Sequence, residues 1–298
     1  MATVELASAH QTTQRSWAVP AATVAVVLMW ASAFVAIRGI GHSFSPGALA
    51  LGRLTVGSVV LVGLALRSRR RIPRGKTLGL VVAYGVFWFA GYTAVLNAAE
   101  RHLDAGTAAL LVNFAPIVVA VLAGLFMNEG FPRPLVIGIA VAFTGVVVIA
   151  VGGSGGHSDG LGITLGLVCA LLYAGAVLLQ KIALRSTDAL SATWVGCVAG
   201  TIALLPFAPQ AAHEAAHAPA GAIVGIVYLG VFPTAIAFTL WAYALTHTDA
   251  GRLASTTLTV PAIAVLMSWA FLGEVPTALA LLGGVACLTG VAISRRRR

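Results

Sequence analysis

The stretch HLDAGTAALLVNFAP at residues 102–116 returns as HTDAGRLASTTLTVP at residues 247–261. Each copy opens on a His, places an Asp two residues later ahead of Ala-Gly, and closes on a Pro. Sliding the chain against itself by 145 residues aligns 82–148 with 227–293 without a gap, and 18 of those 67 positions are identical. Apolar composition matches Ala and Val by chance. It does not bring His102/His247, Asp104/Asp249, Pro116/Pro261, Glu129/Glu274, Gly138/Gly283 and Gly145/Gly290 into one register. A looser register of 143 carries MWASAFVAIR (29–38) onto LYAGAVLLQK (172–181), pairing Trp30 with Tyr173 and Arg38 with Lys181. The chain reads as one unit written twice.

Composition says where that unit lives. Only 9% of the 298 residues are charged, 59% are apolar and the mean hydropathy is +0.96, so a water-soluble surface cannot be built from them. The net charge of +9 does not point to nucleic acid, because the cations gather in short clusters between apolar runs, as in RSRRRIPRGK (67–76) and the terminal RRRR (295–298). Cys169, Cys197 and Cys287 fall inside apolar segments without a pairing motif and read as small core residues. No phosphate-cradling glycine motif precedes a helix, which argues against an ATP-driven pump. No cofactor is expected.

A bilayer core of roughly 30 Å needs about twenty helical residues. Ten runs meet that length: 17–38, 46–66, 76–98, 104–127, 132–151, 160–181, 189–208, 219–245, 251–272 and 276–293. With a cytoplasmic N-terminus, 15 of the 18 Lys and Arg residues lie on the cytoplasmic side, Arg38 and Arg101 lie outside, and Arg53 falls within the second span. Both termini are therefore expected in the cytoplasm, in a multi-pass bacterial-type inner (plasma) membrane protein. A repeat of five spans is odd, so the second copy enters the membrane from the other side and the repeat is inverted, the architecture that rocks about a midplane site. The chain divides into an N-terminal tail (1–16), a first repeat (17–151), a Gly-rich linker (152–159), a second repeat (160–294) and a basic C-terminal tail (295–298).

WASAFVAIR followed by SPGALALGRL, then DAG…P…FMNEGFP with G…TGVVVIA, and again DAG…P…FLGEVP with G…TGVAIS, resemble the two EamA domains of the drug/metabolite transporter superfamily. The resemblance covers about residues 20–294. It implies an all-α carrier of ten transmembrane helices with a central cavity, of a kind that often exports amino acids or other small metabolites. Its expected partners are the lipid bilayer, a small-molecule substrate and a second copy in a homodimer, with no nucleic acid.

The polar and aromatic residues near mid-depth are Trp30, Ser32, Trp88, Tyr92, Asn113, Tyr173, Thr234, Trp241 and Thr257, a set suited to a small amphiphilic solute. Each alone is also ordinary helix packing. Arg53, seven residues into its span, must face the bundle interior or snorkel, and serves either as a structural hydrogen-bond hub or as a contact for a substrate carboxylate. Asp104 and Asp249 precede helices and read as their caps. Glu129 and Glu274 stand ahead of Pro132 and Pro276 and read as anchors of the fifth and tenth helices. Pro116, Pro233 and Pro261 read as kinks near the midplane that free carbonyls there, with Pro116 and Pro261 as hinges for two access states. No carboxylate falls in the middle third of any span, so tight proton coupling through one is not supported.

A rival reading comes from HEAAH at 213–217, which matches the metallopeptidase pattern of two His at i and i+4 with a Glu as base. The segment reads as an outer loop between Pro209 and Pro219, without a scaffold helix. The alternatives to a carrier are thus a membrane metallopeptidase and a non-transporting scaffold. Neither accounts for the inverted repeat.

Overall fold

The computed structural model describes residues 2–99, 102, 111–153, 160–272, 277–294 and 296, and all regular structure among them is helical. The helices are α1 (Ala2–Ile40), α2 (Pro46–Arg67), α3 (Gly75–Ala99), α4 (Ala115–Phe126), α5 (Arg133–Gly153), α6 (Gly160–Ala183), α7 (Ala189–Ala203), α8 (Ala208–His217), α9 (Ala220–His247), α10 (Ala250–Thr256 and Val260–Leu272, joined by a 3-10 turn at Thr257–Thr259) and α11 (Ala278–Ser294). Local chemistry sets several starts. Pro46 opens α2 where its missing N–H costs nothing, and Asp188 caps α7 by accepting the Leu190 and Ser191 amides at 3.1 Å.

Among the described residues, α1 (over Trp17–Ile37), α2, α3, α6, α9 and α10 are long and apolar enough to cross a membrane. The helices α4, α5 and α11 are apolar but shorter over their qualifying parts. The expected seventh span, 189–208, is interrupted: α7 ends at Ala203, and it reaches spanning length and apolarity only together with Leu205–His217, across a bend of 51°.

The repeat has a physical counterpart in the packing. Helices α5 and α11 make the most extensive contact in the fold. A Cβ on Gly138 would lie 2.5 Å from the Gly290 carbonyl oxygen, and one on Gly145 would lie 2.5 Å from that of Gly283. Gly283 is Gly138 displaced by 145 residues and Gly290 is Gly145 displaced likewise, so the two contacts exchange under a twofold rotation. The axis passes near Ala142 and its equivalent Cys287, whose Sγ lies 3.3 Å from the Ala142 carbonyl. Small residues let two backbones approach where no apolar solvent penalty drives helices together.

The halves also exchange helices. Gly85 of α3 seats against Gly196 of α7, with a Cβ on Gly200 reaching the Gly85 carbonyl at 3.1 Å. Its equivalent Gly230 of α9 seats against the Arg53 carbonyl of α2, and a Cβ on Gly57 would meet the Gly230 carbonyl at 3.2 Å. Both α3 and α9 widen into a π turn just beyond these glycines, over Val86–Tyr92 and Gly230–Ile236. In α9 the cause is visible: Pro233 lacks an amide, and Thr234 Oγ1 donates instead to the Leu229 carbonyl at 2.8 Å. In α3 the position of that proline is held by Trp88.

Candidate functional site

The first π turn carries Trp88 and Phe89 into the centre of the bundle, and the second leads into the helical segment that brings Phe238 and Trp241 there. Trp88, in the first, is 1% exposed, and its ring lies 5.0 Å from Tyr173 of α6, 5.0 Å from Phe238 and 5.8 Å from Trp241 of α9. Trp30 of α1 lies 5.0 Å from Trp241 and 6.1 Å from Trp88, and its Nε1 donates to the Pro233 carbonyl at 3.2 Å. Tyr92 joins through Tyr173 at 6.0 Å. Five of the residues expected to line a cavity thus meet in one cluster, drawn from four helices. Phe238 and Tyr84 extend it, with Phe89 packed against both. Both were hidden in the sequence because an aromatic in an apolar span has the same local signature whether it faces lipid or a neighbour, although Phe238 three residues before Trp241 and Tyr84 four before Trp88 share their helical faces.

Among the described residues, two polar atoms in this cluster lack partners. Trp241 Nε1 is buried without an acceptor. The Tyr173 hydroxyl faces the hydroxyl of Thr257, which donates to the Ala254 carbonyl at 2.8 Å and keeps lone pairs to accept, but the two complete no hydrogen bond. A buried donor left unmade costs about 1–3 kcal/mol.

Arg53 approaches the second π turn from α2. Its Nε and Nη2 donate to Thr234 Oγ1 at 3.2 and 3.1 Å, and among the described residues no carboxylate pairs with it. Thr234 is therefore held between Arg53 and the freed Leu229 carbonyl, and one guanidinium nitrogen, Nη1, remains without a hydrogen bond among the described residues.

Other expected residues fall elsewhere. Ser32 turns away from the aromatic cluster to Tyr228, Oγ to Oη 2.6 Å, and to the Met29 carbonyl. Asn113 is buried in the turn just before α4, and Thr257 lies in the 3-10 turn of α10. Those turns are near-equivalent in the repeat, and each stands immediately ahead of its proline. Pro116 and Pro261 are consequently not kinks inside continuous helices: they occupy the first turns of the segments Ala115–Phe126 and Val260–Leu272. Proline has no amide N–H to donate to the preceding turn, so the chain restarts the helix at it.

The carboxylates are reassigned. Glu129 does not anchor α5: its Oε1 and Oε2 accept the amides of Ala250 and Gly251 at 2.8 and 3.1 Å, capping α10 in the other half of the chain. Asp249 stands at the N-cap position of α10 but makes no capping bond, pairing with Arg252 at 3.4 Å. With Glu129 supplying two oxygens to the first turn, the aspartate is not needed there. Asp104 and Glu274 lie outside the described residues.

The HEAAH segment is helical, contrary to its reading as a loop. The rings of His213 and His217 stand 4.7 Å apart on an exposed face, but Glu214 points to the start of α2, accepting the Ser45 amide at 2.8 Å and the Ser45 hydroxyl at 3.1 Å. A carboxylate so engaged is a helix cap, not a base beside the two histidines. Among the described residues, no three His, Cys, Asp or Glu side chains group as metal ligands.

Comparison with known proteins decides the family. The model of the EamA-like transporter family matches residues 17–151 and again 160–296. The chain belongs to that family. It is 36% identical over 283 residues to a "Probable terminal-alkyne amino-acid exporter" of Streptantibioticus cattleyicolor, covering 93% of each chain. It is 26% identical to a "Probable amino-acid metabolite efflux pump" of Escherichia coli, covering 90% of this chain and 92% of that one. A solved crystal structure has the same fold at a TM-score of 0.77 and 18% identity, over 92% of this chain and 98% of that one. This EamA-like protein is thus a multi-pass membrane transporter rather than an enzyme, and its two family domains are the two copies of the repeated phrase.

Proposed function

We propose that this EamA-like transporter exports amino acids or closely related small metabolites through the aromatic cluster, crossing the inner membrane ten times and working by alternating access. The observation that carries the reading is the cluster itself. Trp30, Trp88, Tyr92, Tyr173 and Trp241 gather from four helices beside two repeat-equivalent π turns, with a donor at Trp241 and a hydroxyl at Tyr173 unpaired among the described residues. Such a site offers apolar walls and a few hydrogen-bonding groups to an amphiphilic solute. Arg53, uncompensated by any described carboxylate, suits the solute's carboxylate. The names of the two relatives support amino acids as the class and export as the direction. The helix restarts at Pro116 and Pro261 are the hinges of the two access states, and both termini lie in the cytoplasm.

Purified protein in liposomes, screened by counterflow over the common amino acids, tests this. Saturable exchange of at least one amino acid, lost in Trp88→Ala and weakened in Arg53→Gln, is the expected result. Exchange of none, or undiminished exchange in Trp88→Ala, overturns it.

A further inference from the structure

A second site lies at one end of the bundle. A cleft of about 760 Å³ is bounded by Pro132, Pro134, Lys181, Asp249, Arg252 and Arg296, with the turn Thr246–Thr248 beneath. Every lining residue is at or near the end of a helix. Pro132 and Pro134 flank the start of α5, Lys181 is near the end of α6, Thr246–Thr248 close α9, Asp249 and Arg252 open α10, and Arg296 follows α11. The cleft therefore lies at interfacial depth, where lipid headgroups reside, and not in the hydrocarbon core.

Its charge is unbalanced. Three cations line it against one carboxylate, Asp249. Glu129 is close by but is spent on the amides of Ala250 and Gly251. Lys181 Nζ donates to the Leu245 and Thr248 carbonyls at 2.6 and 2.5 Å, which fixes its ammonium in the wall and leaves one proton to give. Arg252 meets only Asp249 among the described residues, at 3.4 Å, and its Nε makes no hydrogen bond. Arg296 has no side-chain partner among the described residues. One free proton on Lys181 and the guanidinium of Arg296, beside an Arg252 that Asp249 only partly engages, suit an oxyanion in one concavity.

The surface beside the cleft decides between a lipid and a free ion. Phe131, Val136 and Ile137, which flank the cleft-lining Pro132 and Pro134 in the sequence, are each at least half exposed, so the start of α5 offers an apolar track beside those prolines. A soluble anion has no use for that track, whereas acyl chains do. We propose that the cleft binds the phosphate headgroup of an anionic phospholipid, with its chains laid along α5. Basic pockets between transmembrane helices take such headgroups by the same physics.

The full-length protein in a neutral detergent, titrated with short-chain phosphatidylglycerol and followed by thermal unfolding, tests the proposal without any transport assay. A saturable stabilisation is expected, with none from phosphatidylcholine. Arg296→Gln, a change beyond the last helix, weakens apparent binding roughly fivefold, and Arg252→Gln with Arg296→Gln on the order of thirtyfold. Equal stabilisation by phosphatidylcholine overturns the proposal, as does unchanged affinity in Arg296→Gln. Inorganic phosphate is the third arm: an equal shift from it assigns the cleft to a soluble ion and likewise overturns the lipid.

Discussion

The Glu129 carboxylate accepts the Ala250 amide at 2.8 Å, reaching across from the other half of the chain. A negative charge at the first turn of a helix satisfies orphan amides and opposes the positive end of the helix dipole. Glu129→Ala should cost about 1–2 kcal/mol by denaturant unfolding. Asp249→Asn should cost much less, since its side chain makes no capping bond. An equal loss in both variants would mean that the cap belongs to Asp249 after all.

The twofold contact of α5 and α11 makes glycine obligatory at defined positions. Replacing a helical glycine by alanine ordinarily stabilises by roughly 0.5–1 kcal/mol. At Gly290 the added carbon meets the Ala142 backbone, and at Gly145 it meets the Gly283 carbonyl, so both substitutions should destabilise by about 1–3 kcal/mol. Gly175→Ala in α6, with nothing within 4 Å, should be neutral or stabilising. The order of melting temperatures among the three variants checks this, and a uniform gain would refute the close approach.

Stability and transport should separate at Tyr173. Tyr173→Phe removes a hydroxyl with no partner, so the fold should lose nothing and gain up to about 1 kcal/mol. If the hydroxyl meets the substrate, the same change raises KM severalfold with little effect on the melting temperature. Loss of stability together with an unchanged KM would assign the hydroxyl to the fold.

Asp188 predicts an acid limb. Burial opposes its charge, but hydrogen bonds from the Ser191 hydroxyl and from the Ser191 and Leu190 amides, together with Arg70 at 3.6 Å, outweigh it and hold the carboxyl below its ordinary value of 3.8. A depressed carboxyl adds stability that is complete above the ordinary value and disappears as pH falls through the lowered one. Asp188→Asn should therefore narrow the difference in stability between neutral pH and pH below 3.8, measured by denaturant titration. An unchanged pH profile would remove Asp188 from the account.

The repeat was legible because Asp, Glu, His and Pro are rare in apolar helices, and their coincidence in register carries weight that Ala and Val do not. The aromatic site was legible for a related reason: Trp30, Trp88, Tyr173 and Trp241 sit at mid-depth, where large aromatics are less expected than at the interfaces. What stayed hidden was long-range. Nothing near Glu129 announces that its partner is Ala250, 121 residues away, and a carboxylate before a proline suggests the nearer helix. The π turns were hidden too, because a one-residue widening leaves composition untouched. The interruption of the seventh span followed from Leu205 and Pro206, whose apolar neighbours masked a bend.

The exchange of helices between halves bears on how the chain is made. Gly85 of α3 finds its seat on α7, and Gly230 of α9 finds its seat on α2, so neither half encloses its own glycine contact. On the ribosome, α3 must wait for residues near Gly196 and Gly200 to emerge before it has a partner. The first half translated alone should therefore be degraded, while the two halves produced as separate chains in one cell should find each other and restore a stable protein.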